Sequence, residues 1–166
     1  MNAKLLRVLL LLTIIITMNS CSSDSSETNT SESANAKVMS YTYNSSELEA
    51  MNIINEYRVS EGLNPLQQIN HISFKSEEHD DYMIVNNVVN HNNFVSRSEN
   101  LVSVLGAKRV GENVAYNYNT PQAAVKAWLN SPSHKENIVG NYTHFGIAIK
   151  TNADGKKYYT NIFVKI

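Results

Sequence analysis

A single cysteine, Cys21, stands among the 166 residues, which excludes an intramolecular disulfide. An excess of charge of one sign is also lacking: 14 Lys+Arg against 15 Asp+Glu leave a formal net charge of −1. The basic surplus that nucleic-acid binding demands is therefore absent, and no nucleic-acid partner is expected. No HExxH-type or paired-Cys pattern marks a metal site by its spacing, and no Gly-rich loop is present to cradle a phosphate. No internal repeat occurs. The one long apolar run, residues 8–17, falls short of the roughly 20 residues that a membrane-crossing helix needs.

What surrounds that run gives it a meaning. Lys4 and Arg7 supply a positive start, small and polar residues follow, and Cys21 comes next. Residues 1–20 therefore read as a signal peptide. Two readings of Cys21 stand: a lipoprotein signal, cleaved before Cys21 with lipid on its sulfur, or a secretory signal followed by an incidental cysteine. The position of the only cysteine favours lipidation. At about 0.8 kcal/mol per buried methylene, two or three acyl chains hold a protein to a membrane. Residues 21–44 are dominated by Ser, Thr, Asn and Glu. Such a segment buries too little to offset its ordering entropy and is expected to be a flexible polar tether.

The folded domain is expected over residues 45–166. Ser46 with Glu49 three residues on has the pattern of a capping box. Leu48, Met51, Ile54 and Tyr57 then recur at helical spacing, until Gly62 and Pro65 end the helix. A second helix is expected from Ile72 to Asn87, with Ile72, Lys75, His79, Tyr82 and Met83 along one side. Residues 90–98 read as loop and 99–105 as a short helix ended by Gly106. Residues 110–116 have the look of a strand. Thr120-Pro121 and Ser131-Pro132 are helix starts, each an N-cap followed by proline at the first helical position. Two alternating runs, 145–150 and 157–165, flank Asp154-Gly155, a strong hairpin signal. Helices first and a hairpin last predict an α+β domain, with helices packed on a small, mainly antiparallel sheet.

Six segments, read in order, resemble one family. They are IINEYRVSEGLNPL from Ile53, HDDYM from His79, NHNNF from Asn90, GENVAY from Gly111, WLNSPSHKENIV from Trp128 and HFGIAI from His144. Together they resemble the CAP superfamily of cysteine-rich secretory proteins, venom antigens and plant pathogenesis-related proteins. The likeness is greater to its bacterial extracellular branch. The resemblance implies an α-β-α sandwich with an open cleft lined by two histidines and acid, here His91, Glu112 and His134, with Ser131 beside them. The second cleft acid usual in the eukaryotic branch has no counterpart, since the helix carrying Trp128 runs on into Asn130 and Ser131. The disulfides of that branch are absent too.

Two imidazoles and a carboxylate are the inventory of a zinc-type site that keeps an open position. His91, Glu112 and His134 are therefore the candidate metal ligands, and zinc the candidate cofactor. His134 at a helix start is expected to have a lowered pKa, because the positive helix end disfavours imidazolium. Glu112 and His134 are the catalytic candidates. The same residues also permit a plainer reading, in which Glu112 ties a corner by accepting backbone N–H groups. His71 and His79 are expected in loop and helix-packing roles, Trp128 in the core, and Ser131 and Ser133 as capping residues. Nucleophilic catalysis has no support, since Cys21 is taken. Three functions compete: an envelope-anchored module that binds a glycan, lipid or protein; a metal-assisted hydrolase using Glu112 as general base; and a structural protein with a vestigial cleft.

Overall fold

The structure, a computed structural model, describes residues 37–166. The expected signal peptide, Cys21 and most of the expected tether lie outside the described residues. The end of that tether does not. Tyr41 donates its hydroxyl to Glu47 at 2.7 Å, the Met39 amide donates to His71 Nδ1 at 3.1 Å, and Ser73 donates to the Tyr43 hydroxyl at 3.0 Å. Residues 39–44 thus belong with the domain. Their aromatic side chains and backbone find partners that a composition-based reading of a polar stretch does not foresee.

Helix α1 spans Ser45–Ser60. Its cap lies two residues earlier than Ser46: Asn44 accepts from the Glu47 amide, and the Glu47 carboxylate accepts from the Asn44 amide, a complete capping box. Glu47 is buried because it also accepts from the Ile149 amide at 2.9 Å, tying helix to sheet. Strand β1 is Gln67–Gln68, α2 is Asn70–Asn86, α3 is Phe94–Leu105 and β2 is Arg109–Tyr116. Helices α4, Pro121–Asn130, and α5, Pro132–Ile138, precede strands β3, His144–Thr151, and β4, Lys157–Lys165. The last two form the expected hairpin, with Gly155 at φ 76° in the turn.

The sheet order is β1-β3-β4-β2, antiparallel except where the short β1 runs parallel to β3. Alternation along β4 sends its side chains to two layers. Tyr159 and Phe163 pack with Ile54 of α1, Trp128 of α4 and Ile138 of α5. On the other face Ile162 and Val164 pack with Ile72 of α2 and Leu101 of α3, while Tyr158 meets Met83. Helices on both faces make the α-β-α sandwich.

Two elements differ from expectation, both near the site. Helix α3 starts at Phe94 rather than at 99, behind Asn93 at φ 61°. No side chain caps it, so its start carries none of the usual sequence signal. On α2 the buried face is His71, Ile72, Ser73, Ser76, His79, Asp80 and Met83, rather than the stripe through Lys75 and Tyr82. This polar face packs because it is short. A Cβ on Gly146 of β3 would lie 2.4 Å from the Ser73 nitrogen, so helix and strand backbones touch. Ser73 accepts from the Ile147 amide at 3.0 Å, and Ser76 donates to the Gly146 carbonyl at 3.1 Å.

Both edges of the sheet are closed by side chains. On β3, beyond the two-residue β1, Ser73 and Glu47 take the Ile147 and Ile149 amides. On β2, Trp128 donates to the Val114 carbonyl at 3.0 Å and Asn137 to the Glu112 carbonyl at 3.2 Å. Capping of this kind blunts a template for strand addition.

Candidate functional site

The edge strand β2 sets out the site, because successive residues point to opposite faces. Glu112 points toward α2 and α3. Its carboxylate, 2% exposed, receives a bidentate pair from Arg97: Nε to Oε2 at 2.9 Å and Nη2 to Oε1 at 2.8 Å. His91 Nδ1 lies 2.8 Å from Oε1, and His79 Nε2 is 3.9 Å from the same atom. With Glu112 ionised, His91 donates from Nδ1, which leaves its Nε2 as an acceptor on a half-exposed ring. Arg97 also donates to the Asn92 carbonyl at 2.7 Å, and His79 donates from Nε2 to the Asn90 carbonyl at 2.8 Å. Glu112 therefore pins the whole 90–97 segment, and His91 with it, to the sheet.

Asn113 points the other way, toward α5. It donates to the His134 carbonyl at 3.0 Å and accepts from Asn137 at 2.9 Å. His134 is held by its own helix start: Nδ1 is 2.7 Å from Ser131 Oγ. The Ser131 hydroxyl makes no cap bond to the backbone, so the cap expected of it is instead a clamp on the ring. Burial, followed by the charge of His91, moves His134 below the ordinary histidine range. The direction is the expected one, while the leading cause is desolvation rather than the helix end.

Two hollows flank this edge. His91 and Glu112 line one of about 400 Å³ with Phe94, Asn137 and Tyr142. His134 and Ser131 line another of about 330 Å³ with Tyr116, Tyr118 and Trp128. The four expected cleft residues are thus gathered along one strand but divided between two adjoining hollows.

The expected zinc ligand set is not assembled. Among the described residues no three His, Cys, Asp or Glu side chains form a group able to hold a metal ion. The physical reason is Arg97. It occupies both oxygens of Glu112 and sets a fixed positive charge where a dication would need negative donors. Arg97 and His79 are the site residues that sequence reasoning missed. Arg97 fell in a stretch taken as loop, yet it is the sole Lys or Arg between Lys75 and Lys108. His79 was placed in helix packing; it does pack, stacked on Tyr82 with centroids 5.9 Å apart, but it also anchors the loop carrying His91.

His79 carries a pH dependence. Burial is the main cause that lowers its pKa, opposed by Glu112 and aided by Arg97. A folded pKa below the unfolded value means that the unfolded chain binds more protons as pH falls through about 6.5. Stability contributed by neutral His79 is thus complete above that pH and lost below it; His134 adds in the same sense. Asp80, buried with its pKa raised well above the carboxylate range, acts in the opposite sense as pH rises from about 4 through its folded pKa, so the His79→Gln comparison is what isolates the histidine. Melting temperature is expected to drop between pH 7.5 and pH 5.5, and His79→Gln to flatten that drop.

Comparison with known proteins agrees with the fold. The family described as CAP, the cysteine-rich secretory protein family, matches residues 51–164. The uncharacterized protein YkwD of Bacillus subtilis is 33% identical over 125 residues, covering 73% of this chain and 47% of that protein. The uncharacterized membrane protein YlbC of the same organism is 32% identical over 124 residues, covering 72% of this chain and 34% of that one. The chain thus spans a third to a half of the curated relatives it matches. An outer surface protein from Borrelia burgdorferi superposes with a TM-score of 0.64 at 24% identity, over 76% of this chain and 98% of that one. An extracellular protein from Bacillus anthracis containing an SCP domain gives 0.64 at 24% identity, over 73% and 40%.

Proposed function

Because the chain belongs to the CAP family of cysteine-rich secretory proteins, we propose that it is an extracytoplasmic binding module, anchored to the cell envelope by lipid on Cys21. Its ligand is an envelope glycan, lipid or protein held along the β2 edge between His91 and His134. The observation that carries this reading is the engagement of Glu112. A general base must reach a bound water, and the Glu112 side chain is only 2% exposed, ion-paired with Arg97 and in contact with His91. The metal-assisted hydrolase reading has less support, because the Arg97 guanidinium beside Glu112 opposes both a proton on that carboxylate and a nearby dication. What the edge offers instead is recognition chemistry: imidazole nitrogens at His91 and His134, the amide of Asn137, and the rings of Tyr116 and Tyr118. Sites of this kind fix a ligand by a few polar groups set in an apolar lining.

Anchoring through a polar tether fits a domain in which no described helix is long and apolar enough to cross a membrane. The test is a binding and turnover screen of the full chain against peptidoglycan fragments, envelope glycans and phospholipids. The expected result is a ligand that raises the melting temperature, leaves the reaction mixture unchanged by mass, and is lost by His91→Ala or His134→Ala. Hydrolysis products that vanish with His134→Ala would replace the binding reading with an enzymatic one. Mass spectrometry of Cys21 is expected to show acyl chains.

A further inference from the structure

A third hollow, centred away from the β2 edge but sharing Tyr142 with the hollow beside Glu112, lies where the end of α1, the α5–β3 connection, the start of β3 and the end of β4 meet. Its volume is about 690 Å³, within the range of roughly 300–1,000 Å³ usual for small-molecule sites. Its charged lining is of one sign: Arg58 and Lys165 face it with the imidazole of His144, and no carboxylate is among its lining residues.

Arg58 gives the hollow its character. The residue is 3% exposed, and its guanidinium is held by carbonyls alone. Nε donates to Asn64 at 3.0 Å, and Nη1 donates to Ile138 at 2.7 Å and Gly140 at 3.0 Å. Nη2 has no partner among the described residues. Nor does Arg58 belong to any ion pair among them. A buried charge solvated by neutral dipoles but lacking a counter-ion is costly unless an anion completes it. Lys165 and His144 likewise have no acid partner among the described residues. Lys165 Nζ reaches only Asn141 Oδ1, at 3.2 Å, and His144 Nδ1 pairs with Thr143 Oγ1 at 2.8 Å, leaving Nε2 free.

The geometry points to a binding site for a small oxyanion, the carboxylate or phosphate of an acidic ligand, held by Arg58 Nη2, Lys165 and His144. A guanidinium fixed by three carbonyl contacts is preorganised, so little rotamer entropy is lost when the anion arrives. Lys165 and His144 line the same hollow. Burial holds His144 below the usual histidine range, and an anion beside it reverses that shift, so affinity rises as pH falls.

The test follows the His144 and Lys165 side-chain resonances of the full chain by NMR. Inorganic phosphate and glucuronate are titrated in separate experiments, with ionic strength fixed by chloride. Saturable shifts at His144 and Lys165 are expected, with His91 and His134 unmoved. Loss of one charge-assisted contact corresponds to about tenfold, so Lys165→Gln and His144→Gln should each weaken binding by about that factor. Saturation by phosphate alone assigns a phosphoryl ligand, and by glucuronate alone a carboxylate. The proposal is overturned by the absence of a saturable shift, by equal affinity in the variants, or by shifts centred on His91 and His134. Because the β2 edge is read out separately, either result leaves the binding-module reading to its own test.

Discussion

Arg97→Met is expected to destabilise the protein by about 3–5 kcal/mol, the usual cost of leaving one member of a buried ion pair without its partner. Glu112 is nearly inaccessible to water and takes two of its hydrogen bonds from Arg97. Without the guanidinium, the carboxylate must stay buried and underbonded or take up a proton. Either outcome also releases the 90–97 segment, since Arg97 donates to the Asn92 carbonyl as well. Denaturant unfolding of the single variant, of Glu112→Met and of the double variant separates these effects. The double variant should recover much of the loss, because replacing a whole buried pair by apolar groups is often neutral. If Arg97→Met unfolded at the parent's denaturant midpoint, the pair would be solvated in solution and Glu112 would again be available as a base. This makes the stability measurement bear on function as well: the same bond braces the sheet and neutralises the carboxylate.

The Arg97–Glu112 bond also shows where the sequence was legible. Glu112 stood out because it follows a glycine within a strand-like run, in a motif shared with a family. The strand, the hairpin, the proline-led helices and the Trp128 core position were readable for similar reasons: each follows from alternation, turn residues or a cap within a few neighbours. The partner of Glu112 was not local. Arg97 lies fifteen residues upstream in a helix whose first turn has no capping signal, inside an Asn-rich stretch that resembles loop. A side chain's charge partner across a sheet leaves no periodic trace. The zinc expectation failed for that reason: the donors were counted correctly, but the cation already neutralising one of them was out of view. The face of α2 was misjudged differently. Ile72, His79 and Met83 are buried as expected, but the rest of the face is His71, Ser73, Ser76 and Asp80 rather than Lys75 and Tyr82, because small side chains allow close approach to Gly146.

Trp128→Ala is expected to cost about 3–5 kcal/mol, as removal of a fully buried aromatic side chain does, and the loss should divide into separable parts. The indole is 1% exposed and packs in the core layer with Ile54, Ile138 and Phe163. Its Nε1 also closes the β2 edge at Val114, and the ring lines the hollow beside His134. Trp128→Phe keeps much of the apolar volume and abolishes only the edge bond, leaving a buried carbonyl unsatisfied at about 1–3 kcal/mol. Urea unfolding of both variants gives the division directly. A phenylalanine variant as stable as the parent would mean that water satisfies the Val114 carbonyl and that the edge is open there. An open edge would matter for function, since the free strand would lie between the two hollows. It would offer backbone hydrogen bonds to an extended ligand, where the capped strand offers only the side chains of the flanking loops and helices.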